Sequence, residues 1–133
     1  MRNFEFDMVR IKVVHPYAWL WEPLESDASF VLRAMFGAKA VYLNGKLMFC
    51  FMAKVEPWRG VLLATDREHH ASLMADFPPL SPHPVLQKWL YLRESSEAFE
   101  PVAEELVRLA RQRDSRIGVT PQPRKRKRAL PGR

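Results

Sequence analysis

The chain of 133 residues contains 47% hydrophobic and 27% charged residues, which is typical of a globular protein with one hydrophobic core. Its single cysteine, Cys50, excludes an internal disulfide bond and is typical of a reducing compartment. Because no apolar run reaches the length of a signal peptide or a membrane span, we expect a cytoplasmic protein without membrane contact.

The net charge of +6 is concentrated at the C-terminal end of the chain. Residues 120–133 include six basic residues and no acidic residue, whereas residues 1–119 contain 15 of each. We therefore expect a single α+β domain at residues 1–119, followed by a basic tail at residues 120–133 whose composition is typical of disorder.

The first third of the chain predicts a strand and a helix. Residues 8–14 alternate between apolar and polar side chains and resemble a strand. Ser26 or Asp27 can cap a helix that runs to about Met35 and ends at Gly37. Its apolar residues follow the i, i+3, i+4, i+7 spacing of one buried stripe. This stripe consists of Ala28, Val31, Leu32 and Met35.

A β-hairpin is predicted by Asn44-Gly45, which stands between two runs of strand-forming residues. A two-residue loop pairs Leu43 with Lys46, and strict alternation then assigns every side chain to a face. The predicted core-facing row consists of Ala38, Ala40, Tyr42, Leu47, Phe49 and Phe51. The opposite face consists of Lys39, Val41, Leu43, Lys46, Met48 and Cys50, and it is either half exposed or covered by Trp19–Trp21.

The second half of the chain predicts two more strands and two helices. Residues 60–64 form a strand, and Thr65 with Glu68 forms a capping box that opens a helix. Residues 88–92 form the next strand, followed by an amphipathic helix that ends near Arg113. The predicted order is α-β-β-β-α-β-α after the N-terminal strand-like segment. This order indicates a two-layer α+β sandwich in which three helices cover an antiparallel sheet of four to five strands.

Three short segments carry a resemblance to a known family. They are Arg33-Ala34-Met35-Phe36-Gly37, Val41-Tyr42-Leu43-Asn44-Gly45-Lys46 and Met48-Phe49. Their order and wording resemble the TfoX N-terminal domain family, although Ala38 replaces the second glycine of its junction. The related YjbR-like group, with its secretion-chaperone-like fold, is the alternative. The resemblance implies a small non-enzymatic binding or regulatory domain; larger family members, which add a helical domain, regulate DNA-uptake competence.

The sequence contains no recognisable catalytic, metal or cofactor motif. His69 and His70 are adjacent, so on a helix they point about 100° apart and cannot share a metal ion as an i, i+4 pair would. Cys50 is predicted opposite Lys39, which would favour a thiolate, but no base is designated for it; we interpret it as a small apolar residue. We therefore predict no catalytic residue, no metal, no cofactor and no small-molecule substrate.

Two binding surfaces remain as hypotheses. The basic run Arg124, Lys125, Arg126, Lys127 and Arg128 can neutralise phosphates and predicts non-specific nucleic-acid binding, the alternative being a solvated end without a partner. The second surface is a contact with a protein partner or a second copy of the chain. Its predicted residues are Val41, Met48, Cys50 and Trp58, of which Trp58 alternatively folds back onto the sheet edge.

Overall fold

The computed structural model describes residues 15–35 and 37–121. Three helices, α1 (Ala18–Trp21), α2 (His70–Asp76) and α3 (Phe99–Arg111), accompany one antiparallel sheet. The strands are β1 (Val31–Met35), β2 (Ala38–Leu43), β3 (Lys46–Ala53), β4 (Arg59–Leu63), β5 (Ser81–Pro82) and β6 (Leu90–Arg93). Their order in the sheet is β1-β2-β3-β4-β6-β5. The α+β class is thus confirmed, with six strands instead of four to five, and the strand predicted at residues 8–14 lies outside the described residues.

The prediction of a helix up to Met35 is wrong, because this segment forms β1, the outermost strand on its side of the described sheet. Val31 pairs with Tyr42 and Met35 with Ala38, so β1 and β2 form a hairpin. The carboxylate of Asp27 caps no helix; its Oδ1 accepts a hydrogen bond of 2.9 Å from the Ser29 backbone N–H. An apolar spacing that fits a helix over nine residues fits a short strand as well, and pairing with β2 decides between them.

The hairpin at Asn44-Gly45 is confirmed, and both residues have positive φ angles of 53° and 77°. The first predicted pairs, Leu43 with Lys46 and Tyr42 with Leu47, are present. Beyond them a β-bulge inserts one residue, so that Val41 pairs with Phe49 instead of Met48. A bulge of this kind reverses the face of every residue after it.

The predicted faces are confirmed for Phe49, Phe51 and Cys50 and wrong for most of the other residues of the hairpin. Those predicted to face the core that lie on the opposite side are Ala38, Ala40, Tyr42 and Leu47, and those predicted on the opposite side that lie in the core are Val41, Leu43 and Met48. Phe49 and Phe51 lie with Val41 in the core beneath the helices, whereas Cys50 lies on the other side of the sheet. Trp21 of α1 packs against Phe51 with ring centroids 5.2 Å apart, and Tyr17 packs against Phe99 of α3 at 5.5 Å. All three helices contribute buried side chains to this helix-side core.

The opposite side of the sheet, here termed the second face, has its own buried cluster. Its members come from all four central strands and from the residue after β4. They are Ala38, Ala40, Leu47, Cys50, Met52, Leu62, Ala64 and Tyr91. No helix lies over this cluster among the described residues, and its cover comes from loops and the half-buried side chains of Met35, Tyr42, Trp58, Trp89 and Val119.

The predicted capping box at Thr65 is also wrong. Thr65 is fully buried, and its hydroxyl donates to the backbone carbonyl of Arg116 at 2.5 Å. A short 3-10 turn, Arg67–His69, precedes α2. Asp66, the residue before this turn, makes no capping hydrogen bond through its side chain. Thr65 therefore anchors the segment that follows α3.

The long last helix is confirmed, and it ends at Arg111.

Candidate functional site

A cavity of about 810 Å³ opens on the second face of the sheet. Its floor is formed by Ala38 of β2, Cys50 and Met52 of β3, and Leu62 of β4. These side chains share one face because residues on neighbouring strands alternate in step, and Ala38 leaves open space where a larger residue would stand. The volume is within the range of small-molecule sites, about 300–1,000 Å³.

The walls of the cavity are built by two loops that carry tryptophan. Trp58 follows the β3 strand in the turn to β4, and Trp89 immediately precedes β6. Val85 and Leu86 complete the wall, and Val85 remains 63% exposed at the surface. Two half-buried indoles with apolar neighbours form a concave surface suited to flat or aliphatic groups.

A buried histidine joins the two wall loops. His83 is fully buried, and its ring lies against Trp58 with centroids 4.4 Å apart. Its Nδ1 accepts hydrogen bonds from the backbone N–H groups of Val85 and Leu86, both at 3.0 Å. Its Nε2 must then carry the proton, which it donates to the Pro57 carbonyl at 2.7 Å. His83 therefore acts as a bracket between the two loops and sets the spacing of the walls.

The loop that carries Trp58 is held in place by polar contacts of its neighbours. The Tyr91 hydroxyl accepts from the Arg59 N–H at 3.1 Å and lies 2.8 Å from the Arg59 carbonyl oxygen. The Arg59 guanidinium pairs with Glu94 at 2.5 Å and donates to the Lys54 carbonyl at 3.1 Å. Burial raises the pKa of Tyr91 to about 12, so its hydroxyl stays protonated and serves as a structural donor.

Removal of the histidine bracket is expected to loosen the cavity walls. The substitution His83→Ala leaves the Pro57 carbonyl and two amides without their partner, which we expect to lower the free energy of unfolding by about 2 kcal/mol. His69→Ala is the matched control, because the polar contact found for its ring among the described residues is with the exposed Glu68, and the loss of that contact should cost under about 0.5 kcal/mol. Urea unfolding of both variants measures the difference. Equal stabilities would contradict the bracket role.

The predicted pairing of Cys50 with Lys39 is wrong, because the bulge places Cys50 opposite Ala40. The thiol is buried in an apolar surrounding, and burial raises its pKa to about 11. Cys50 is thus a protonated thiol in the cavity floor at neutral pH. A nucleophilic cysteine requires the opposite shift.

Alkylation of Cys50 with iodoacetamide should therefore be slow in the folded protein. At pH 8 we expect a rate about a hundredfold lower than in urea-unfolded protein, because the thiolate is the reacting form. The folded-state rate should keep rising towards the pKa of about 11, whereas the unfolded-state rate should level off above the ordinary thiol pKa. Mass spectrometry of timed samples measures both rates, and equal rates at pH 8 would contradict this assignment.

The four residues predicted as a protein interface do not form one surface. Val41 and Met48 lie in the helix-side core with 0% and 3% exposure, so their prediction as surface contacts is wrong. The bulge is the cause for Met48, which shares the helix side with Phe49. Cys50 and Trp58 both line the cavity. The basic residues Arg124, Lys125, Arg126, Lys127 and Arg128 lie outside the described residues.

Neither a metal-binding cluster nor a membrane-spanning helix is found among the described residues. No cluster of three or more His, Cys, Asp or Glu side chains that could hold a metal ion is found between residues 15 and 121, position 36 aside. None of the helices in the same region combines the length and apolar character needed to cross a membrane.

Comparison of the chain with protein-family models, with curated proteins and with solved structures finds no match.

Proposed function

We propose that this protein is a non-enzymatic binding domain that takes an apolar group into the cavity on the second face of its sheet. The observation that carries the proposal is a preformed concave site, about 810 Å³ in volume, with two tryptophans in its walls. Such a site gives affinity by burial of apolar surface. Its floor offers methyl, thioether and protonated thiol groups, which suit packing rather than acid, base or nucleophilic chemistry.

A regulatory role for this binding is part of the proposal and rests on the resemblance to the TfoX N-terminal domain family. The Arg-Ala-Met-Phe-Gly segment that carries the resemblance includes Met35 and Gly37, which line the cavity. A group bound in the cavity would contact the β1–β2 turn directly. The turn is thus the element through which a bound group would alter the edge of the sheet.

The neutral fluorescent probe N-phenyl-1-naphthylamine tests the proposed function. We expect saturable binding of one probe per chain, with a dissociation constant on the order of 10 µM for a molecule of this size. Energy transfer from tryptophan should accompany binding, because Trp58 and Trp89 line the site. A fluorescence titration that never saturates would contradict the proposal.

Self-association through β1 is the second candidate function. β1 is the outermost strand on its side of the described sheet, and its Val31 and Leu32 are 41% and 36% exposed. An exposed antiparallel edge can pair with the same edge of a second copy about a two-fold axis. Light scattering at high concentration should then show a dimer that Leu32→Lys dissociates, and a monomer of the unaltered protein would contradict this candidate.

Nucleic-acid binding by the basic tail remains a third proposal, supported by the sequence alone. Five consecutive cations at residues 124–128 would give salt-sensitive binding without base specificity. Deletion of residues 120–133 should abolish a gel shift seen at low salt. Undiminished binding by the shortened chain would refute it.

A further inference from the structure

We propose that the cavity selects a small amphipathic anion, specifically a carboxylate on an apolar body, which is attracted by the three basic side chains of its lining, Lys54, Arg67 and Lys88. This inference rests on the proposed binding function and adds the chemical class of the ligand. The apolar body would occupy the floor and the tryptophan walls described above. The carboxylate would pair with one or two of these side chains, all of which are at exposed positions of the lining.

The charge of the cavity lining is one-sided. Lys54, Arg67 and Lys88 are the charged residues among the side chains that line it, and all three are basic. Within the part of the chain that the structure describes, the ion pairs found engage none of them. Three cations beside an apolar surface create a positive potential that attracts an anion into the cavity.

Several other arginines of the described residues pair with carboxylates of the same chain. Arg59 pairs with Glu94, Arg113 with Asp27 at 3.0 Å, and Arg116 with two carboxylates at 2.8 and 2.9 Å. The basic side chains of the cavity lining differ from these arginines, since none of the ion pairs found includes them.

The three cations come from three different segments that border the cavity. Lys54 follows β3, Arg67 begins the turn before α2, and Lys88 precedes β6. The Lys54 side chain lies directly over Gly37, since a Cβ built on Gly37 would stand 2.5 Å from its Nζ. The Lys88 carbonyl accepts a hydrogen bond from His70 Nε2 at 2.8 Å, which fixes the backbone at that position. The Lys54 side chain is thus located by its position over Gly37, and the Lys88 backbone by its hydrogen bond with His70.

The shape of the site distinguishes this ligand from a polyanion. A nucleic acid requires cations spread along a groove, and its bases and backbone would meet an enclosed apolar floor. A single carboxylate on a chain of about ten carbons needs only one or two charged donors and one apolar pocket. Charge-assisted hydrogen bonds to a carboxylate are the strong class of hydrogen bond, and three donors offer more than one orientation of the head group.

Competition against bound N-phenyl-1-naphthylamine tests this inference with two matched competitors, decanoate and decanol. We expect decanoate to displace the probe at a concentration at least about tenfold lower than decanol, because only decanoate contacts the cations. The double substitution Lys54→Gln with Lys88→Gln should remove most of this preference, which is measured for each variant as the ratio of the two displacing concentrations. Lys46→Gln, at an exposed position that does not line the cavity, is the control and should keep the preference.

The outcomes separate this inference from the proposed function. Absence of probe binding contradicts the proposed function itself. Probe binding with equal displacement by decanoate and decanol overturns the anion selectivity alone, as does a preference that survives the double substitution. Displacement by neither competitor overturns the assignment to a small amphiphile and leaves the cavity to an apolar side chain of a protein partner.

Discussion

Replacement of Ala38 by tryptophan is expected to weaken probe binding by at least about tenfold while the protein remains folded. Ala38 is 7% exposed and forms part of the cavity floor, so its Cβ points into the space that a ligand would fill. An indole in this space would exclude a ligand from part of the apolar surface that it buries, a loss of about 1.4–3 kcal/mol, which corresponds to about tenfold to hundredfold weaker binding. The protein itself has open volume to accept the indole, so we expect its free energy of unfolding to change by about 1 kcal/mol or less.

Ala75→Trp is the matched control for this prediction. Ala75 lies on α2, is exposed, and does not line the cavity. The same change there should leave the affinity for N-phenyl-1-naphthylamine within about twofold. If both variants bind the probe as the unaltered protein does, the probe does not bind in this cavity.

Gly60→Ala is expected to give the largest loss of stability, about 3–5 kcal/mol. Gly60 has a φ of 137°, and a Cβ at this position would stand 2.2 Å from the Leu92 carbonyl oxygen and 2.9 Å from the Glu94 nitrogen. Both contacts are with backbone atoms, so relief would require separation of β4 from β6, where Gly60 pairs with Arg93. The strands that support Trp58 and Trp89 would move with it.

Gly45→Ala separates the steric contribution from the backbone strain. Gly45 also has a positive φ, 77°, but a Cβ there meets nothing within 4 Å. Its substitution should cost only the strain of a left-handed conformation, about 1 kcal/mol. Urea unfolding of both variants measures the difference, and losses that agree within about 1 kcal/mol would contradict the close approach of β4 and β6.

The sequence predicts those parts of the fold that depend on local chemistry. Asn44-Gly45 determines a turn by its backbone conformation, and the last helix follows from a strongly periodic apolar stripe. The segment around Val31 fits a helix or a strand by spacing, and only its pairing with Tyr42 decides. Pairing partners are a tertiary property, which a single segment does not carry.

The candidate site could be predicted only in part. Trp58 and Cys50 were singled out by the sequence, one for its place in a loop and one as the single cysteine. Cys50 and Ala38 share the cavity floor because of the bulge near Met48, since strict alternation would put these two residues on opposite faces. A bulge leaves no distinctive residue pattern here. The sequence around His83 carries no signal of burial, because its burial follows from the fold of two loops far apart in the sequence.

The distribution of the tryptophans offers the most direct test of the cavity as a binding site. Trp58 and Trp89 line the cavity, whereas Trp21 is buried in the helix-side core and Trp19 is exposed on α1. In proton–nitrogen NMR spectra of the full chain, addition of N-phenyl-1-naphthylamine should shift the indole N–H signals of Trp58 and Trp89 and leave those of Trp19 and Trp21 in place. Shifts confined to Trp19 and Trp21, or saturating probe binding without any shift of Trp58 and Trp89, would contradict the cavity as the binding site.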